Sequence, residues 1–438
     1  MSRTSMSRRR WMSMTACAIG GGILPSRLLA RRQGSPADLT ARISRVIGDY
    51  GQQGFHRTGT DVDRRSGDWL YEEVRRLGLA PAREPFELDR IDPERCHLAI
   101  GDRRIEGLPL FDAAFSDDSG VRGLLGPIGS DADIGVVEAP PNTAAAGELG
   151  EARRQHRHRA LVCVTRGGRP GLCPNNADFF LKPYGPPVLQ VSSEHSAFVS
   201  EQAESRTTVT LVARARRRRM SAFNVTAGID GKDPALPPLV VMTPRSGWYA
   251  CASERGGGLA CWLELMRVLT RPAPPRPVLF VASSGHELGH LGIDSFVERR
   301  RGIVSNSVGW IHLGANIGAA IPAGVPPPAA EETPDRRHAT PVMVRGTTIQ
   351  ASDDEFEDHL ARALSAVDLS IGRRNPRGTV PGGEAEVVHR GGGRYVSVIG
   401  SNAFFHNPSD QGPDVVNVDE IARFARALGD LAAALLAG

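Results

Sequence analysis

The sequence predicts an α/β protein in which a largely parallel mixed sheet is flanked by helices and a small β-rich domain is inserted. Three observations carry this. Past residue 220, short apolar runs of buried-strand type alternate with helical segments. Between residues 95 and 219 the texture is instead short strands and turns. The chain has 438 residues, 40% of them hydrophobic, enough for two or three domains.

Taken in order, residues 37–80 hold an amphipathic helix, a glycine-rich turn from Gly54 to Gly59 and a second helix from Arg64 to Leu77. A strand begins at Phe86–Ile91. The insert carries strands at Ala160–Val164, Pro187–Val191 and Thr208–Ala213, and the run Arg214 to Arg219 closes it as a solvated linker. Later strands are expected at Leu239–Met242, Val278–Ala282, Val308–Leu313 and Tyr395–Ile399. Helices are expected at Gly258–Leu269, His286–Arg299, Asp353–Val367 and Val418–Leu436, with a proline-rich loop over 321–341. The resulting division is 1–33, a leader; 34–94, the first part of the main domain; 95–219, the insert; and 220–438, the remainder.

Charge and composition exclude several classes. The formal charge is +4, but five arginines precede Ala30, and without them it is −1. With aromatics at only 5%, nothing points to nucleic acid. No apolar run approaches the roughly 18 residues of a membrane span. Ser7-Arg8-Arg9-Arg10-Trp11-Met12, followed by an uncharged stretch and Leu28-Leu29-Ala30, reads as a twin-arginine export signal, which places the mature chain in the periplasm or outside the cell. Five cysteines then remain, Cys96, Cys163, Cys173, Cys251 and Cys261. Cys163–Cys173 and Cys251–Cys261 are candidate disulfides, and buried free thiols are the alternative.

Chemistry-bearing residues gather just beyond the apolar strands, where ligands bind in parallel sheets. The segments are Thr243-Pro244-Arg245-Ser246, Ser253-Glu254-Arg255-Gly256-Gly257-Gly258, Gly285-His286-Glu287-Leu288-Gly289-His290 and Phe405-His406-Asn407-Pro408-Ser409-Asp410. Alone, His286 to His290 matches the H-E-x-x-H zinc pattern, which needs both imidazoles on one helix face. Here the motif opens a helix after Ser283-Ser284-Gly285, and no third ligand follows at the usual spacing.

In order and texture, these segments resemble the co-catalytic di-zinc aminopeptidases, in the branch with a protease-associated insert that includes glutamate carboxypeptidase and the transferrin receptor. The resemblance covers nearly all of the chain after the leader. Asn224 to Val241 is similar to the strand leading to the first ligand, Val278 to Gly292 to the segment around a Glu-Glu pair, and His406-Asn407-Pro408-Ser409-Asp410 to the closing histidine segment.

Position by position, the resemblance implies half a site. The first histidine ligand falls at Arg245, the bridging carboxylate at Glu254, the base and ligand glutamates at His286 and Glu287, a late aspartate at Gly314 and the last histidine at His406. One metal site is thereby lost. The other, Glu254, Glu287 and His406, implies one zinc per chain with an open fourth position. His286 is then the base and Arg245 a cation near the vacated site. Ser246, Ser253, His290, His312 and Asn316 are possible pocket residues. The function implied is hydrolysis of an amide or peptide bond in a small peptide or amide by a water activated on that single zinc. The alternatives are a non-catalytic homologue that binds a partner, or a glutaminyl-cyclase-like transferase.

Overall fold

The computed structural model describes residues 35–322, 342–343, 347–369 and 372–437. The leader and most of the proline-rich loop lie outside these. Helix α1 (Pro36–Gly51) starts with Ser35 and Asp38 capping each other's backbone, and buries Leu39, Ile43, Val46, Ile47 and Tyr50 along one face. Helix α2 (Asp61–Arg76) follows.

Strand β1 (Ala82–Ile100) pairs antiparallel with β7 (Thr208–Ile229) almost along its whole length. Between them come β2 (Arg103–Pro109), β3 (Val121–Pro127), β4 (Ile134–Ala139), β5 (Ala160–Thr165) and β6 (Val188–Ser192). Their order is β1-β2-β6-β5-β4-β3-β7, and the β1–β7 pairing closes the ring around a core that includes Leu98, Leu125, Val162, Leu189 and Leu211.

The same β7 then pairs with β9 (Val278–Ser283), followed in order across the sheet by β8 (Leu239–Pro244), β10 (Gly309–Leu313) and β11 (Tyr395–Ile399). The four central strands β9, β8, β10 and β11 run parallel, while β7 and β12 (Thr348–Ala351) flank them antiparallel. The expected mixed α/β sheet is therefore present. The ring and this sheet are one continuous sheet, because strands β1 and β7 run through both. Arg214 to Arg219 is accordingly no linker. It is mid-strand, opposite residues 89–95, with Arg214 and Arg216 on Glu94, Arg218 near Asp92 and Arg219 near Glu87.

Helix α3 (Ala252–Leu269) lies at the centre, packed against β8, α1 and the closing helix α4 (Val418–Ala437), and only Arg267 along it is not buried. Gly256, Gly257 and Gly258 permit this depth. A Cβ at Gly257 would fall 1.9 Å from the Ile317 carbonyl oxygen, which is backbone and has no room to yield. Gly257→Ala is therefore expected to cost about 3 kcal/mol of stability, measured by denaturant unfolding. A variant as stable as the parent would show that α3 tolerates a shift. The five cysteines among the described residues are buried free thiols, so neither Cys163–Cys173 nor Cys251–Cys261 is a disulfide. No described helix is long and apolar enough to cross a membrane.

Candidate active site

The chemistry sits at the carboxyl ends of the parallel strands. Glu254 and Arg255 open α3; His286 follows β9; His312 lies on β10; His406 follows β11; Glu384 comes from the segment before Ala385. All six are buried, His286 being the most exposed at 7%. Each keeps at least one side-chain atom without a hydrogen-bond partner among the described residues: Glu254 Oε1, Arg255 Nη1 and Nη2, His286 Nδ1, His312 Nε2, Glu384 Oε2 and His406 Nε2. Buried polar atoms are normally paired, so so many unpaired atoms mark a place prepared for something else.

Arg255 and Glu384 are the residues to which sequence reasoning gave no role. Arg255 Nε donates to the Ser246 carbonyl at 2.8 Å, and Nη2 lies 2.6 Å from Glu254 Oε1, misaligned as a hydrogen bond. Burial is the largest influence and works to lower its pKa, but Glu254, Cys251, Tyr50 and Glu384 together more than offset it, so the guanidinium stays charged. The start of α3 is held by Asp410, whose carboxylate accepts from the Ser253 and Glu254 backbone N–H groups and the Ser253 hydroxyl. Burial pushes the Asp410 carboxyl up to about 7. The local signal was the charge doublet Glu254-Arg255, which only looks unusual once both residues are known to be buried.

His406 stands 3.6 Å from Glu254 Oε1 through Nε2. Its Nδ1 is 2.6 Å from the Pro174 carbonyl. A carbonyl only accepts, so Nδ1 carries the proton and Nε2 presents a lone pair; burial lowers its pKa, keeping the ring neutral. Pro174 belongs to the insert, as do Asn176, which accepts from the Trp248 indole, and Leu172, whose carbonyl accepts from the Tyr249 hydroxyl. The insert thus forms one wall of the site, a long-range contact with no local sequence signature.

His286 Nδ1 faces Glu384 Oε1 at 3.5 Å. Burial, then the Arg255 charge, hold its pKa well below 6.5. His312 packs beside it, with Nδ1 2.8 Å from Ser397 Oγ and its pKa lowered by burial to about 4. His290 lies 5.0 Å from His286 ring to ring. It does not share a helix face with His286: the 286–288 turn is followed by left-handed residues Gly289 and His290, and the helix proper starts at Leu291. The expected helix from His286 is corrected accordingly, which removes the H-E-x-x-H geometry.

Three expectations fail for a common reason, the demand of buried polar groups for partners. Arg245 does not reach Glu254. It is buried against Asp63, with Nη1 2.8 Å from both the carboxylate and carbonyl oxygens and Nη2 2.5 Å from the Phe223 carbonyl. Glu287 is spent likewise: Oε1 accepts from the Thr58 N–H and Oε2 from the Ser246 hydroxyl, both at 2.7 Å. Ser253 is tied to Asp410 and Asn402, and Asn316 bonds to Gly400 and Asn402, so these side chains brace loops.

The zinc triad Glu254, Glu287 and His406 consequently does not assemble. Glu254 and His406 stay together, but both carboxylate oxygens of Glu287 are engaged elsewhere. No three His, Cys, Asp or Glu side chains among the described residues stand where one metal ion could take them. A divalent ion on Glu254 would also meet the charge of Arg255, whose Nη2 already stands 2.6 Å from Glu254 Oε1, and like charges repel.

No family model and no curated protein matches the chain. Solved structures do. A zinc aminopeptidase from Bacillus subtilis superposes with a TM-score of 0.70 at 15% identity, over 91% of this chain and 94% of that one. An aminopeptidase from Aneurinibacillus sp. strain AM-1 gives 0.66 at 15%, over 93% and 95%. A peptidase M28 precursor from Shewanella amazonensis gives 0.67 at 14%, over 94% and 96%. At these identities the likeness is one of architecture, and it spans nearly the whole of each chain. The chain therefore has the fold of the zinc aminopeptidases.

Proposed function

We propose that the chain is an exported hydrolase that cleaves an amide or peptide bond in a small substrate, working in the periplasm or outside the cell. The observation that carries this is the pairing of neutral His286 with Glu384 beside an incompletely paired guanidinium. Glu384 Oε1, which accepts from the Ser283 hydroxyl and lies 3.5 Å from Nδ1 without a hydrogen bond to it, stabilises the imidazolium once formed. His286 takes a proton from water as the water oxygen attacks the carbonyl carbon. It returns that proton to the amine nitrogen as the C–N bond breaks, leaving an acid and an amine. Glu287, held by Thr58 and Ser246, is withheld from Glu254 and His406, so these three residues do not fit a zinc ion.

The test is turnover of a panel of peptides and amides by the mature protein, including peptides with N-terminal glutamine. Hydrolysis that disappears in Glu384→Gln supports the proposal; that variant is expected to lose about 100-fold in kcat. Cyclised products without hydrolysis would instead make it a transferase. A non-catalytic binding role has one observation in its favour, the diversion of Glu287 into structural bonds. Binding of panel members without turnover would establish that role.

A further inference from the structure

We infer that Arg255 is the resident cation of this cleft: its guanidinium neutralises Glu254 and receives the substrate's carbonyl oxygen, so that substrate binding needs no divalent ion. The part concerning substrate rests on the hydrolase reading; the part concerning the cation does not. The side chain is 1% exposed and anchored at both ends of its planar group, by the Ser246 carbonyl on Nε and by Glu254 on Nη2. That leaves Nη1 and Nη2 with donor capacity that no described residue uses. Around these donors the neighbours are acceptors. His406 Nε2 presents a lone pair, and Glu254 Oε1 and Glu384 Oε2 are unpaired. A carbonyl oxygen fits the donors, and a substrate N–H fits the acceptors.

The placement is rigid. Gly256 and Gly257 seat the first turn of α3 against Ile47 and the Ile317 carbonyl, and Asp410 clamps its N-terminus. A fixed, preoriented charge of this kind needs no reorganisation when negative charge develops on a carbonyl oxygen. Lysine cannot replace it, since one ammonium cannot hold the Ser246 carbonyl, Glu254 and a substrate in the same plane.

The experiment uses the mature protein and two variants, Arg255→Lys, which keeps the charge that Glu254 requires, and Arg255→Gln. Each is dialysed against zinc and then buffer, its metal content is measured by elemental mass spectrometry, and its binding of a dipeptide amide by calorimetry. Circular dichroism checks that each variant is folded. The wild-type protein is expected to retain no stoichiometric zinc and to bind the dipeptide amide equally with and without a chelator. Both variants are expected to bind it about 10- to 100-fold more weakly. Stoichiometric zinc that is lost in His406→Ala would overturn the assignment of the cation, whether or not the protein turns over any substrate. Unchanged affinity in folded Arg255→Lys and Arg255→Gln would overturn the carbonyl contact. Binding with this pattern but without hydrolysis would sink the hydrolase reading alone and leave Arg255 as assigned.

Discussion

Replacing His286 by alanine is expected to lower kcat for amide cleavage by about 10²- to 10⁴-fold, the usual contribution of a positioned general base. The fold should persist, because the ring's Nδ1 makes no hydrogen bond that the site depends on. The pH profile provides a second readout. Burial holds the pKa of His286 well below 6.5, with Arg255 and then His312 and His406 acting in the same direction. The imidazole is therefore neutral, the form a base needs, throughout the neutral range. The rate should stay level as pH falls through 6.5 and decline only well below it, when the ring protonates. An acid limb centred at or above the ordinary histidine value would show that another group is the base. Retained activity in His286→Ala would show the same directly.

The largest effect on stability is expected from Asp63→Ala. Asp63 is the buried counter-ion of Arg245 and also accepts from the Ser284 hydroxyl and the Gly59 N–H. Its removal strands a guanidinium that is 1% exposed, and breaking one partner of such a pair costs about 3–5 kcal/mol. Denaturant unfolding of the purified variant measures this. Arg245→Met should be milder, because it deletes the charge that most needs compensation and leaves Asp63 with two other donors. Its folded fraction should turn over substrate at close to the parental rate. A loss of kcat with unchanged stability would return Arg245 to the catalytic role that its sequence position implies.

How much was legible differs from residue to residue. The parallel strands were readable because apolar runs such as Leu239–Met242 and Val278–Ala282 are buried on both faces and carry their own signal. The strand-exit segments were readable as a site for the same reason, since α/β topology dictates where loops converge. His286, Glu254 and His406 were named from those segments and do lie in one buried cluster. Glu384 was not, because it is a single carboxylate before a six-residue helix, with nothing local to distinguish it. Pro174 acts through its backbone carbonyl, which any residue would supply.

The sequence by itself determined the architecture: alternating strands and helices around a mixed sheet, and the loops that would carry chemistry. Those follow from hydrophobic periodicity, a local property. Only the tertiary structure decided which of two neighbouring arginines enters the cleft, and whether three candidate ligands share a metal. Arg245 and Arg255 are equally cationic in sequence; Asp63, 182 residues from Arg245, captures one and leaves the other beside Glu254. Glu287 was likewise withdrawn by Thr58, 229 residues away. A buried charge must find its partner wherever the chain brings one, and that competition is settled by packing at long range.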